Sequence, residues 1–398
     1  MKAQIFSGVR LKKARLFNEM TLSDLAKEIS AIPHSITKQS LSLYENGSVA
    51  PKYETILAFV KVLQFPYDYF FENDSFTSSS ESTYFRSLQS TSKRIRLAYR
   101  EQADFTLDIF SVLNKYVNFP PLRLTQLPFD VPDLSDEEIS ESEITNQEIE
   151  KVADQLRLYW KIPNGPIKSM QYLVENNGIL VSQISDTEKG VDAFSQQKTI
   201  DGSIRPLITL AVGKKPACRI RFDIGHELGH IILHPWSENL EELSPANFRE
   251  RENQAQRFAG ALLLPRNEFV KDVMVAPLDL DYYIILKQKW NVSIQAMLYR
   301  ARQLNIIDPE FYQKLMIKLS RKGWRKEEPL DHAPYILPNT IMSRAIQLML
   351  SNSYSAEDIL SAMKVNGLSL YPEMIERLCS LPHRTLTPKT SFPPLSIK

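Results

Sequence analysis

Three of the six histidines in this 398-residue chain fall within nine residues, in the stretch Arg219–Pro235, RIRFDIGHELGHIILHP. Its centre is His226-Glu227-Leu228-Gly229-His230. Residues four apart on a helix lie on nearly the same face, so His226 and His230 can point at one metal ion. Glu227 falls beside the metal rather than on it, where its carboxylate can take a proton from a water held there. That is the pattern of a zinc hydrolase. The surrounding residues suit a buried helix. Pro216 favours the first helical position, Ile220, Phe222, Ile224, Leu228, Ile231 and Ile232 supply an apolar body, and Pro235 ends it.

Catalytic zinc takes three protein ligands and leaves a fourth position for water. His234 lies on nearly the same face, but at about 1.5 Å of rise per residue it is roughly 12 Å from His226 along the axis. A zinc–nitrogen bond is about 2.1 Å, so one ion cannot reach all three while the helix continues. His234 is expected instead at the helix end, where the negative dipole end favours a charged histidine. Glu252 is the better third ligand. Ala255, Ala259 and Leu263 share its face, the two alanines permit a close approach to the HELGH helix, and Phe258 and Leu262 seal the edge. Glu250 points roughly 160° away at 100° per residue, toward solvent. Glu250, Glu241 and Glu242 remain the alternatives. The competing reading is a domain that holds metal but cuts nothing; such a site would be closed by a fourth ligand and would not need Glu227. No residue identifies itself as the oxyanion stabiliser.

These residues need elements to position them. The chain is 43% apolar and 24% charged, which predicts a soluble globular protein, and its length predicts two or three domains. A net charge of +1 means that any nucleic-acid affinity must come from a local patch. Cys218 and Cys379 are the two cysteines, far apart, which fits a reducing compartment and excludes a thiolate metal site. No signal peptide or run of about 18 apolar residues is visible, so the protein is expected to be cytoplasmic, with no membrane partner.

The expected fold is mainly α with a small β-sheet (α+β). Residues 7–71 read as a compact helical unit, with Thr21 as an N-cap, a helix over Thr37–Asn46, Gly47 as its stop, and a further helix from Pro51 to Leu63. Residues 1–66 carry nine Lys/Arg against five Asp/Glu, a mild positive balance. Phe76–Ser92 reads as a Ser/Thr-rich linker, and Lys93–Val117 as a long amphipathic helix and a candidate dimer interface. Phe129–Glu150 holds nine acidic residues and no basic one, as a solvated connection does. Helices are expected over Gln147–Trp160 and Pro166–Asn176. Strands are expected over Ile179–Ile184, Gly190–Ser195 and Leu207–Val212. An edge strand beside the HELGH helix could hold an extended substrate by main-chain hydrogen bonds. Trp290–Met297 has a second helix-turn-helix shape that could serve packing alone. The resulting segments are 1–72, a compact helical domain; 73–145, linker and long helix; 146–275, the metal-binding domain; and 276–398, a C-terminal helical region without visible chemistry.

Two resemblances sharpen this. TLSDLA, SLSLYENG with Pro51 following, and the ending VLQFPYDYFF resemble the Xre/Cro/lambda-repressor helix-turn-helix family over about 65 residues. The resemblance implies a four-to-five-helix, lambda-repressor-like domain on double-stranded DNA, with Thr37–Tyr44 as recognition helix. Lys38, Gln39 and Ser42 would then lie near base edges, and Thr21 and Lys52 near phosphates. Ser30–Ile36 is longer than the family's turn. HELGHIILH followed by ENQAQRFAGALLLP, with RFDIGHELGH and DAFS, resembles the ImmA/IrrE metallopeptidases, and RKGWRKEEPLD extends the resemblance to residue 331. It implies a zincin-like domain with a gluzincin-like site, Zn2+ on His226, His230 and Glu252, with Glu227 as general base. It also implies cleavage of a regulatory protein such as a repressor or antitoxin-like regulator. The alternative is a transcription factor whose protease-like domain senses a metal, ligand or partner without cutting. A palindromic operator would call for a homodimer.

Overall fold

The computed structural model describes residues 5–30, 36–72, 83–85, 92–124, 144–184, 192–213, 215–234, 244–332 and 339–387. In chain order the first elements are α1 (Gly8–Phe17), α2 (Leu22–Ser30), α3 (Lys38–Glu45), α4 (Tyr53–Leu63), a 3-10 turn (Tyr67–Phe71), β1 (Thr83–Phe85) and α5 (Lys93–Leu113). Then come α6 (Asn146–Tyr159), α7 (Met170–Asn176), β2 (Leu180–Ile184), β3 (Ala193–Ile200), β4 (Ser203–Ala211), α8 (Ala217–Leu233) and α9 (Pro245–Leu263). α10 (Arg266–Val273), α11 (Leu280–Trp290), α12 (Ile294–Gln303), α13 (Pro309–Arg321), α14 (Ile341–Ser351), α15 (Ala356–Val365) and α16 (Pro372–Leu378) complete it. This is the α+β fold expected. No helix among the described residues is long and apolar enough to cross a membrane.

The chain divides into two compact units that do not follow chain order. One gathers α1–α4, α5 and α14–α16; the other gathers β1 and everything from α6 to α13. The stretch 276–398, expected as one C-terminal region, is therefore shared between them. The cause is the direction of its apolar faces. Trp290, Met297, Leu298, Leu315 and Leu319 enter the core around α8, whereas α14, α15 and α16 pack on α5.

In the first unit, polar caps start the helices. Ser7 Oγ accepts from Arg10 N, Thr21 and Asp24 exchange side-chain and backbone hydrogen bonds, and Thr37 Oγ1 accepts from Ser40 N. Gly8 is the residue that lets α1 start against the end of α3, since a Cβ there would sit 2.2 Å from the Tyr44 carbonyl oxygen. Arg15 then ties the two helices by two bonds to the Glu45 carboxylate, 2.6 and 2.8 Å. α5 ends at Leu113 rather than Val117, with Asn114 as C-cap. Its apolar face is covered within its own unit by α1 and α14–α16. The surface that the sequence offers as a dimer interface is thus already used. Arg10 donates to the Gly367 carbonyl (2.9 Å), and Ser369 N donates to Glu72 (3.1 Å), so the C-terminal segment is bonded into the helix-turn-helix unit.

In the second unit a four-stranded sheet runs in the order β1-β3-β4-β2. β3 and β4 form an antiparallel hairpin, β2 pairs parallel to β4, and β1 pairs antiparallel to β3. The hairpin is longer than the strands expected. Asp201 and Gly202 turn it with φ of 49° and 74°, the two left-handed residues that a tight hairpin needs. That Asp-Gly dipeptide was the available sequence signal. β1 lies inside the segment expected as linker alone. α8 packs on β3 and β4 with one side and on α9 with another. Buried cations hold the helices around it. Arg157 donates to the carbonyls of Leu262, Pro163 and Gly165, and Arg300 and Arg257 both meet Glu150. The turn after Trp290 is a packing corner. Asn291 is left-handed there, and Trp290 Nε1 donates to Asp272 at 2.8 Å.

Phe105 of α5 sits among Phe17, Phe65 and Tyr69, with ring centroids 5.3, 5.6 and 6.1 Å away. Phe105→Ala is expected to destabilise the first unit by about 3–5 kcal/mol. Chemical denaturation followed at that unit checks it; an unchanged midpoint would make α5 a mere linker.

Candidate metal centre

α8 carries both histidines on the side facing α9. His226 Nε2 and His230 Nε2 lie 3.1 Å apart. The Glu252 carboxylate, from α9, closes the triangle at 3.4 Å to His226 and 3.2 Å to His230. Four ligands placed tetrahedrally at bonds of about 2.0–2.1 Å stand roughly 3.4 Å from one another, so these three donors have the spacing of a zinc ligand set. They are also the three side chains that converge in this way among the described residues. The histidines are buried, while a fifth of the Glu252 side chain remains exposed. The cluster therefore opens on the α9 side. Burial alone would raise the Glu252 carboxyl; hydrogen bonds to and charge on His226 and His230 outweigh it and hold the group well below the usual carboxylate range.

His234 is outside this cluster and at the helix end, both as expected, but it does not carry the charge expected there. It lies past the last helical residue, with φ −118° and ψ 140°. Burial first, and then His230, pushes it well below the ordinary histidine value, so it is neutral. Its ring joins a relay. His234 Nε2 lies 3.1 Å from Gln254 Oε1, which only accepts, so the proton is on Nε2. His234 Nδ1 is then an acceptor, and His230 Nδ1, 2.9 Å away, donates to it. With the Nδ1 proton held there, Nε2 is the nitrogen that can give up its proton and turn its lone pair to a metal in the triangle, the tautomer a metal ligand requires.

Glu227 is fully buried, one residue around the helix from His226 and turned toward the sheet. Ser195 Oγ on β3 donates to its Oε2 at 2.8 Å. Sequence reasoning missed Ser195, although it ends the DAFS motif. Only the sheet brings it within reach of a residue 32 positions on. At the other end of that motif, Asp192 pairs with Lys215 and Arg219 and anchors the start of α8. Of the alternative ligands, Glu250 is outside the cluster, and Glu241 and Glu242 lie outside the described residues. Pro235, expected to end the helix, lies outside them too. Cys218 is no ligand; burial pushes its thiol up to about 12.

In the first unit, Lys38 and Gln39 are exposed on the first turn of α3, Ser42 is partly exposed one turn on, and Thr37 caps that helix. Thr21 starts α2, and exposed Lys52 precedes α4. Of the long connection Ser30–Ile36, residues 31–35 lie outside the described residues.

Small residues set the approach of α9 to α8. A Cβ on Gly229 would meet the Ala255 backbone at 3.0 and 3.1 Å, whereas one on Gly225 would meet Ala259 at an ordinary 3.4 Å. Gly229→Ala is expected to force the helices apart, costing about 1–3 kcal/mol and weakening metal binding. Gly225→Ala should stay within about 1 kcal/mol of the parent, because a helical alanine offsets the contact. Paired thermal melts and zinc titrations check this; equal effects would remove the crossing as the constraint.

Two regions of the chain match known families. Residues 11–70 match the family described as helix-turn-helix, spanning most of α1 through the 3-10 turn. Residues 174–302 match the family described as IrrE N-terminal-like domain, from the end of α7 through α12, with His226, Glu227, His230 and Glu252 inside. No curated protein matches the chain. The chain thus joins an Xre-like helix-turn-helix domain to an IrrE/ImmA-like peptidase domain, in that order.

Proposed function

We propose that this DNA-binding regulator carries a working zinc endopeptidase that cuts a repressor or antitoxin-like regulatory protein in the cytoplasm. The observation that carries it is the convergence of His226, His230 and Glu252 beside a Glu227 carboxylate held by Ser195. His226 Nε2, His230 Nε2 and the Glu252 carboxylate would hold the ion, with Gln254 and His234 fixing the His230 ring. A zinc ion bound there supplies Lewis acidity toward water and toward a peptide carbonyl. Glu227 takes the proton of the attacking water and returns it to the leaving amine nitrogen. Ser195 keeps that carboxylate turned toward the sheet side of α8. Thr37, Lys38, Gln39 and Ser42 present α3 to DNA bases, and Thr21 and Lys52 flank it at phosphates. Two copies would read a palindromic operator.

One observation favours a second reading, a non-proteolytic sensor. A cavity of about 400 Å³ opens beside the start of α8, lined by Phe222, Tyr299, Tyr312 and Trp324. Its size admits a small ligand.

Glu227 and Glu252 are expected to fail differently. Glu227→Gln keeps shape and hydrogen bonding but removes the proton acceptor. It should retain about one zinc per chain and its melting temperature, and lose cleavage by roughly a hundredfold or more. Glu252→Ala leaves two histidines, so zinc and part of the fold's stability should go together. Metal analysis, melting and cleavage beside candidate repressors separate the cases. Cleavage by Glu227→Gln at the parent rate sinks the peptidase reading, and full zinc in Glu252→Ala moves the ligand elsewhere.

On DNA, Lys38→Ala with Gln39→Ala should erase the preference for operator over random sequence, while Lys52→Ala should weaken both alike. Binding titrations at fixed salt read this. Equal losses on the two DNAs from the first pair would remove α3 as the recognition helix.

A further inference from the structure

Phe222 and Gln256 both line the cavity at the start of α8. Phe222 lies one helical turn before His226, and Gln256 one turn after Glu252, so each shares a face with a proposed metal ligand. The two helices run antiparallel here, since Gly229 meets Ala255 while Gly225 meets Ala259. Both steps therefore lead the same way, from the metal triangle toward the start of α8. One turn is about 5.4 Å along the axis, and successive residues of an extended peptide are about 3.3 Å apart. A peptide whose carbonyl meets the triangle thus carries a side chain over the cavity one or two residues away.

The walls select the kind of side chain. Phe222, Tyr299, Tyr312, Met316 and Trp324 bound the space of about 400 Å³, and none of them is fully covered by the fold. Tyr299 keeps 37% of its surface exposed, and its ring stands 6.5 Å from that of Tyr312 at 63°. Large apolar side chains facing a hole forgo burial and contacts that an apolar guest restores. The acidic wall groups are engaged within the fold. Glu328 accepts from Lys287 Nζ and from the backbone N–H groups of Ile294 and Gln295, Asp331 accepts from Lys287 Nζ and Glu328 N, and Asp223 pairs with Lys215. Arg219 pairs with Asp192, and Arg325 and Lys326 are exposed, so their charge stays in water. The bonds of Glu328 and Asp331 also fasten the segment after Trp324 to α11 and α12, so that wall stands in place before a guest enters. Tyr312, Met316 and Trp324 lie beyond the matched residues 174–302, so most of the apolar wall comes from outside that match. Resting on the peptidase reading above, we propose that this cavity is the specificity pocket of the cleft. It takes a large apolar side chain, aromatic or branched aliphatic, from a substrate residue beside the bond to be cut.

The test reads binding to the zinc-loaded full chain. Its probes are succinyl hydroxamates, which chelate zinc and here differ in the one side chain beside the chelating group. An isobutyl or benzyl side chain should bind about tenfold or more tightly than methyl or carboxymethyl, since a single methylene in an apolar pocket already gives about that factor. Ala296→Phe, which fills the cavity from α12, should bring the four affinities within about twofold of one another. Where a melt or metal analysis shows that variant damaged, Tyr312→Ala and Trp324→Ala take its place and should narrow the same gap. Equal affinities in the parent, an unchanged preference in the intact variants, or no hydroxamate bound after zinc loading overturns the proposal. Cleavage is measured separately. A side-chain preference in a chain that cuts no repressor removes the peptidase reading alone, and cleavage without a preference removes the pocket alone.

Discussion

The site depends on one helix crossing. A glutamate side chain reaches only a few ångströms, so Glu252 meets the histidines only if α9 lies almost against the α8 backbone. Gly225 and Gly229 on α8 face Ala259 and Ala255 on α9, small residues four apart on both helices. Rows of residues four apart are the ridges along which helices interdigitate, and removing their side chains lets the axes approach. The other side of α8 rests on β3 and β4. Consecutive residues on a helix turn by about 100°, so the same helix aims His226 and His230 at α9 and Glu227 at the sheet. Ligands and base are separated by one residue of sequence and by the two surfaces that enclose the helix.

Enclosure has a cost that the polar partners offset. His226, Glu227, His230, His234 and Gln254 are all buried. Buried polar groups without partners cost a few kcal/mol each, and buried charges more. Here each ring is tied to the next, from Gln254 through His234 to His230 and on to Glu252. Burial keeps His234 neutral, and neutrality is what lets its Nδ1 accept. The same desolvation that makes the site expensive thus sets the tautomer on which metal binding relies. Ser195 serves Glu227 in the same manner from the sheet side.

The part of this that was legible in sequence is the part carried by local spacing. His226 and His230 follow from helical periodicity, and Glu252 from the two alanines sharing its face. The cap at Thr21 and the stop at Gly47 are read from residue types that act on their own backbone. His234 was legible as a helix-end residue outside the ligand set but not as a neutral link to His230, because that depends on Gln254, 20 positions away on another helix. Ser195 was invisible for the same reason, since a serine gains meaning only from the sheet register that sets it against Glu227. The hairpin was partly missed because β3 is buried along nearly its whole length and shows no alternation, leaving Asp201-Gly202 as its only local mark. β1 had no mark at all, being three residues in a Ser/Thr-rich stretch.

The long-range packing of the first unit follows from the size of its cores. The region that matches the helix-turn-helix family holds some 60 residues, and a domain that small buries a modest share of its surface. Some of its aromatic residues are covered from outside the four helices. Phe17 has the Phe105 ring on one contact and the Arg377 guanidinium at 5.0 Å on another, and Arg10 is nearly buried with its guanidinium 4.9 Å from Tyr69. α5 and α16 supply these covers from 105 and 377, positions that chain order assigns to a linker and a tail. Arg10 illustrates the dependence. A buried guanidinium must find acceptors, and the carbonyl it donates to, Gly367, comes from the C-terminal segment. The folded DNA-binding unit is therefore larger than its family signature. The residues that complete it lie on the far side, in sequence, of the whole peptidase domain.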